Sequence, residues 1–474
     1  MELPPEQVNG ADVSAAAEPA AAATAMPDMP LGLERSDNEI LQRASQSYAA
    51  ERDASGALLA HQLELLRQYD APGMQHAVNI CFWSRSGSFL LASYLDSHDH
   101  VVLLPENRSD FIYAFHAEFA RLSVWEKLVA YPEYAKARYP RTGDFFGGNF
   151  PLTAAAYYAA VGGLFTLYGG RPQEWLSARV RFLQFLYVAY AVAAGRRPGT
   201  PCPLIVYAQH YSNDQLARAF VADFPDGHFI HTIRDPISAL DSWFDRSVIS
   251  KYPPDQYPSP AVECVRELLA RDRPHVGMEE RTRAIRFEDL HLAPEATMRR
   301  LTGWLGIPYH HCLIESTFNG APFVFDSSGV LMHGAIPANA RRRSKSLDAA
   351  DRWLMFALLH QNFRAWSYDC PRILRHAWLR LVVIAALLLV PAGTAGMAGA
   401  QNSLCPRRLC LPSRATAAHD VAHRLADAGA TDREKAPVAA ALVPILRLAR
   451  LALDPLGQNP SRHARARSRI QINS

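Results

Sequence analysis

Residues 76–95, HAVNICFWSRSGSFLLASYL, read as a strand, a tight turn and a helix in direct succession, and nothing else in the chain constrains its fold as strongly. Val78, Ile80, Phe82 and Trp83 make the short apolar run of a strand buried on both faces, while Leu90, Leu91, Tyr94 and Leu95 recur at helical spacing. The turn between them, Ser84-Arg85-Ser86-Gly87-Ser88, suits an anion. Its glycine lets the backbone aim amides at one point, and a helix starting there offers unpaired N–H groups and a partial positive charge. Arg85 adds a cation, and the hydroxyls of Ser86 and Ser88 add neutral donors beside it. The Walker form GxxxxGK[ST] is absent, in spacing and in its lysine. A serine-capped helix beside an exposed arginine would be written with the same letters, so the turn alone leaves both readings open.

The alternation of strand and helix recurs along the chain. Val101-Val102-Leu103-Leu104 resembles a second strand and delivers Pro105-Glu106-Asn107-Arg108 at its C-terminal end, where open α/β sheets gather ligands. Pro203 to Tyr207 leads into Ala208-Gln209-His210, and His228 to Ile233 ends at Arg234-Asp235-Pro236. Arg283 to Phe287 precedes Glu288-Asp289-Leu290. Each run is followed by a helix-like segment, which predicts an α/β fold with a central, mainly parallel sheet flanked by helices.

Other helices are expected at the edges of this pattern. Ser36-Asp37-Asn38-Glu39 has the form of a capping box, and a broken helical pattern continues from Leu58 to Leu66 until Pro72-Gly73. Residues 110–135 carry aromatics at near-helical spacing, and Glu174 to Ala194 has arginines on one face. Leu152 to Gly170 is uncharged and of membrane-like length, yet it lies between segments that serve one site, so a buried core helix is the reading taken. Met298 to Leu305 is closed by Gly306 and Pro308. A polar loop over 326–346 carries Arg341, Arg342, Arg343 and Lys345, and a last helix runs from Asp351 to Phe363.

Composition excludes more than it selects. With 474 residues there is room for one large domain with appendages or for two, and a net charge of +3 gives no reason to expect nucleic acid. The seven cysteines are scattered without a CxxC pair and the 18 histidines without HExxH spacing, so neither a disulfide framework nor a metal is expected. Residues 1–35 lack the basic start and apolar core of a secretory signal; they read as disordered and the chain as cytoplasmic. Leu381 to Ala400 carries no charge, but Pro391 and three glycines weaken any helix there, and a membrane span is left open. Beyond residue 400 there are 12 Lys and Arg against 5 Asp and Glu. This poorly ordered tail can touch an anionic membrane surface weakly.

A second anion signal lies at Arg234 and Ser242, at the end of one strand and on the helix after it. Eight residues apart, a strand-end guanidinium and a serine two helical turns along can approach one phosphate, one with a bidentate grip and the other with a hydroxyl. RSGS after a strand, RDPxxxxxS after another, and RFEDL followed by a helix ending in WLGIP together resemble the sulfotransferase family. The motifs run from about residue 76 to 308, with weaker support to 366.

The resemblance implies a P-loop-like three-layer fold over residues 74–368, preceded by a helical lead-in at 36–73 and followed by a C-terminal segment at 369–474. It implies 3′-phosphoadenosine 5′-phosphosulfate as donor. Arg85, Ser86, Gly87 and Ser88 match the loop that binds the 5′-phosphosulfate, and Arg234 and Ser242 match the residues that hold the 3′-phosphate. The loop departs from the family at Ser84, where proline is common, and at Phe89, where a second hydroxyl usually lies. Two residues compete as catalytic base. RSGS…LDSH…ENR is similar to RSGTT…LDAHP…EETR of tyrosylprotein sulfotransferases, which points to Glu106 and brings Arg108 to the substrate. His210, 24 residues before Arg234, is similar in position to the catalytic histidine of cytosolic sulfotransferases. Glu106 is favoured because more flanking residues agree, while Asp235, Glu288 and Asp289 are expected to brace the strand ends.

The expected reaction is in-line transfer of a sulfuryl group to an acceptor hydroxyl on a carbohydrate, glycolipid or other molecule. Catalysis would rest on Arg85 and the base, with no metal. The alternative is an inactive nucleotide-binding or membrane-associated scaffold of the same fold.

Overall fold

The computed structural model describes Met26, Met29 and residues 31–82, 85–105, 111–138, 145–146, 152–209, 213–243, 275, 277–324, 331–332, 334–340, 347, 349–376 and 379–380. At its centre is a five-stranded sheet made of β1 (Ala77–Phe82), β2 (Val101–Leu103), β3 (Leu204–Gln209), β4 (His228–Ile233) and β5 (Thr282–Arg286). All neighbouring pairs are parallel, in the order β2-β3-β1-β4-β5. The strand carrying the anion-type turn therefore lies in the middle. That order, with helices on both faces, is the P-loop-like three-layer α/β architecture that the resemblance implies.

Alternation along β1 divides the molecule into two cores. Ala77 and Cys81 face one cluster, Val78 and Ile80 the other, so the strand has apolar residues on both faces, with buried Asn79 paired to Gln209 at 3.0 Å. The first cluster is closed by α1 (Glu39–Leu66), α2 (Ser88–Asp96) lying opposite on the second, and then α3 (Ile112–Glu118), α4 (Val124–Arg138), α5 (Ala154–Tyr168), α6 (Gln173–Ser177), α7 (Arg179–Ala193) and α8 (Asp214–Asp223). After α9 (Pro236–Trp243), the second cluster is completed by α10 (Phe287–Leu292) and α11 (Pro294–Leu305). α12 (Pro337–Ala340), α13 (Ala349–Leu358) and α14 (His360–Ala365) follow.

Several boundaries differ from the sequence reading for local reasons. α1 is capped by Asn38, whose side chain accepts the N–H of Ile40 at 2.9 Å, so the box written as Ser36 to Glu39 is not the one used. The pattern that looked broken is one continuous helix of 28 residues. Leu152 to Gly170 contains a helix of 15 residues, shorter than a membrane span, and no helix among the described residues is long and apolar enough to cross one. Its small residues serve packing instead: a Cβ at Gly163 would stand 2.5 Å from Leu66 Cδ1, so the glycine lets α1 and α5 pack without displacing that side chain. Residues 110–135, 174–194 and 351–363 each resolve into two helices rather than one. Within 326–346 lie α12 and strand Leu331–Met332, which pairs antiparallel with Phe323–Val324. α11 ends as expected, with Gly306 at φ 71 and its N–H on the Thr302 carbonyl.

Candidate functional site

The turn after β1 is wound by two residues at positive φ, Arg85 at 72° and Gly87 at 95°. For arginine this is an uncommon conformation, and such outliers gather at ligand clamps. A turn of this kind directs successive N–H groups into an anion-binding concavity, and here α2 starts from it with Gly87 as N-cap. The glycine is required by space as well as by φ: a Cβ there would lie 2.5 Å from Cδ2 of Phe287. Ser86 and Ser88 are both buried at the start of the helix. The Ser86 hydroxyl is 2.7 Å from that of Thr232 on β4, which fastens the turn to the neighbouring strand. Phe89, where the sequence lacks a further hydroxyl, packs edge-on against Phe318 at 4.8 Å and so contributes to the second core.

The second anion segment arrives at the same corner. Arg234, at the C-terminal end of β4 and only 9% exposed, donates from Nη1 to the backbone carbonyl of Arg85 at 3.2 Å. Arg85 in turn donates from Nε to Oγ of Ser242 on α9 at 3.0 Å. The turn arginine and the strand-end pair, 149 and 157 residues apart in sequence, thus form one connected group. The resemblance assigns Ser242 to the same phosphate as Arg234, whereas in this structure its hydroxyl accepts from Arg85. That contact draws the two expected phosphate poles together through a single guanidinium.

What holds Arg234 is a platform from α10. Its guanidinium carbon lies 4.3 Å from the ring centroid of Phe287, the residue whose edge also fills the space beside Gly87. Phe287 is set by His291 at 4.4 Å, edge to face. Burial, with the nearby Arg234 charge, lowers the His291 pKa to about 4, and its neutral Nδ1 accepts the N–H of Ile336 at 2.9 Å. Behind Arg234, the Asp235 carboxylate caps α9 by accepting the Ser238 N–H at 2.7 Å. Buried Glu288 accepts the Asp235 N–H at 3.1 Å and the Tyr368 hydroxyl at 2.7 Å. Burial raises the Glu288 pKa, against the pull of those two hydrogen bonds. Asp235 and Glu288 therefore act as braces, in keeping with the sequence reading.

Arg85, Ser86, Gly87, Ser88, Arg234 and Ser242 are thus brought together in one corner at the C-terminal edge of the sheet. Glu106, Arg108 and His210 lie outside the described residues, as do Arg341, Arg342, Arg343 and Lys345. Sequence reasoning gave no role to Thr232, Phe287, His291 or Tyr368. The only signal for Phe287 was its place at the strand-to-helix junction in RFEDL, and Thr232 had only its proximity to Arg234. Their partners are far away in the chain, so neither contact can be read from spacing.

A family profile described as "Sulfotransferase family" matches residues 77–311, which includes β1 to β5 and both anion segments. No curated protein matches the chain. Among solved structures, it is similar to the sulfotransferase domain from the Synechococcus PCC 7002 olefin synthase, at 16% identity and a TM-score of 0.37, over 64% of this chain and 99% of that one. It is also similar to the sulfotransferase domain from the curacin biosynthetic pathway, at 15% identity and TM-score 0.34, over 62% and 99% of the two chains. Sulfotransferase STF9 from Mycobacterium avium is 15% identical at TM-score 0.30, over 58% and 73%. At these TM-scores the structural likenesses carry no weight beside the family match.

Proposed function

The chain belongs to the sulfotransferase family, and on that premise we propose that it moves a sulfuryl group from 3′-phosphoadenosine 5′-phosphosulfate to an acceptor hydroxyl. The supporting observation is the bonded corner in which Arg85 joins Ser242 at 3.0 Å and receives Arg234 at 3.2 Å. A donor with phosphate at both its 3′ and 5′ positions needs two cationic holds within one nucleotide's length, and the closeness of Arg85 and Arg234 supports that reading. The positive φ at Arg85 and Gly87 supports the reading as well, since a turn wound in this way can aim its backbone N–H groups at an anion.

The donor supplies an activated sulfuryl group whose leaving bisphosphate gains negative charge as the bond loosens. Arg85 and the N-terminus of α2 are the groups to stabilise that charge, and donors held in place beforehand favour the transition state most. Arg234 and Ser242 orient the nucleotide from its 3′ side. The acceptor hydroxyl then needs a base, for which Glu106 is proposed and His210 is its competitor. General-base catalysis contributes about 10²- to 10⁴-fold. Glu106→Gln is expected to reduce kcat by that order, with His210→Gln reducing it far less. The reverse ranking in a sulfate-transfer assay transfers the role to His210. Arg108 is proposed to meet the acceptor, a hydroxyl-bearing carbohydrate, glycolipid or other molecule.

Nucleotide titration calorimetry tests the donor reading. A charge-assisted hydrogen bond is worth about 1.5–3 kcal/mol, so Arg234→Ala should weaken adenosine 3′,5′-bisphosphate by about ten- to a hundredfold. The same change should alter binding of adenosine 5′-monophosphate much less, because that ligand has no 3′-phosphate to lose. Equal loss for both ligands, or none for the bisphosphate, refutes the assignment of Arg234.

A further inference from the structure

Beneath the turn, three ligand-type side chains meet inside the first core. Cys81 of β1 and His231 of β4 are directly paired positions on adjacent parallel strands, and their odd-numbered neighbours Ala77 and Phe229 show that this face points into that core. His275 closes the group. One ligand atom from each of the three lies within 4.8 Å of the others, and the residues are 3%, 5% and 8% exposed in chain order.

The distances suit a metal. Cys81 Sγ stands 3.8 Å from His275 Nε2. Zinc bonds of about 2.3 Å to sulfur and about 2.0–2.1 Å to nitrogen, at a tetrahedral angle, place two such ligands about 3.5 Å apart. Closing the observed gap takes a few tenths of an ångström. On the far side of the ring, His275 Nδ1 is 2.9 Å from Asp214 Oδ1. A carboxylate in that place fixes the tautomer with a lone pair on Nε2, as at metal-bound histidines generally.

His231 supplies the independent observation. Its Nε2 is buried with no hydrogen-bond partner among the described residues, although proteins ordinarily pair such an atom. A second cluster, His98, Asp99 and His310, lacks this property. There His98 is committed at both nitrogens, Nε2 to the Pro308 carbonyl at 2.8 Å and Nδ1 to the His100 N–H at 3.1 Å.

We propose that Cys81, His231 and His275 bind one borderline-soft divalent cation of the zinc type, with Asp214 orienting His275 from outside. Cys81 binds as thiolate and releases its proton to solvent; no redox change is involved. The ion ties β1 to β4 and to residue 275 just where the turn departs. Cys81 lies four residues before Arg85, and His231 immediately precedes Thr232, whose hydroxyl fastens Ser86. Sequence spacing gave no hint of it, because residues 81, 231 and 275 meet only through the sheet.

The test uses the full chain, stripped of metal by a chelator and titrated with cobalt(II) chloride. Expected is one equivalent bound, with an intense thiolate-to-cobalt charge-transfer band, visible bands of tetrahedral strength, and displacement by zinc. Cys81→Ser abolishes the charge-transfer band, and Asp214→Asn keeps it while weakening cobalt about 10- to 100-fold, as loss of an outer carboxylate does. Absence of the band in the unaltered chain, or its persistence in Cys81→Ser, overturns the site. The first of these needs no variant to fold. Cobalt bound equally well by Asp214→Asn overturns the orienting role.

Discussion

Gly87→Ala is the change whose cost the structure allows to be worked out most fully. The new Cβ meets two separate obstacles. At φ 95° the backbone is in the left-handed region, which costs a non-glycine residue about 1–2 kcal/mol. The Cβ would also lie 2.5 Å from Cδ2 of Phe287, and that ring has little freedom to yield. One face carries the Arg234 guanidinium at 4.3 Å, and His291 stands against it at 4.4 Å. Overpacking of this kind costs about 1–3 kcal/mol, so the total is about 2–5 kcal/mol. Where the turn can loosen without global unfolding, the strain is expressed as lost nucleotide affinity rather than lost stability. Both are therefore measured, by urea unfolding and by titration with adenosine 3′,5′-bisphosphate, and the two losses together should reach that range. Adding Phe287→Leu should recover the steric part, about 1 kcal/mol or more as a coupling energy, and leave the backbone part in place. If Gly87→Ala changes both quantities by less than about 0.5 kcal/mol, the reasoning from φ and contact is refuted.

Asp96 is wholly buried and accepts from Arg196 Nη1 at 2.9 Å, from the Thr317 hydroxyl at 3.1 Å and from the Gly320 N–H at 3.0 Å. Asp96→Ala leaves that cation uncompensated and should cost about 3–5 kcal/mol in urea unfolding; a loss below about 1 kcal/mol contradicts this. His291 gives a signed pH dependence. Its folded pKa, about 4, lies below its unfolded value near 6.5, so the unfolded chain binds more protons between these values. Its contribution is fully present above pH ~6.5 and is lost as pH falls toward 4. In His291→Gln the stability-against-pH curve should be flatter by up to one proton in that window, and an unchanged slope counts against it.

The strand-turn-helix at 76–95, the run of parallel strands and the ends at which Arg85 and Arg234 sit could all be read from local pattern. Period and punctuation are properties of neighbouring residues. Helix limits were less legible between α6 and α7 and between α13 and α14, where no glycine or proline stands at the break and residues compatible with a helix run on either side. The same ambiguity made Leu152 to Gly170 look long enough for a membrane, when the small face of α5 serves its approach to α1.

By itself, then, the sequence determined the architecture and the identity of the charged groups, since both follow from residue type at short range. Tertiary structure alone decided the pairings: Arg85 with Ser242, Ser86 with Thr232, Phe287 beneath Arg234 and against Gly87, and Cys81 beside His231 and His275. These contacts join residues tens to hundreds of positions apart. They arise because parallel strands must return through a covering helix before they pair, which places remote segments side by side at one edge of the sheet.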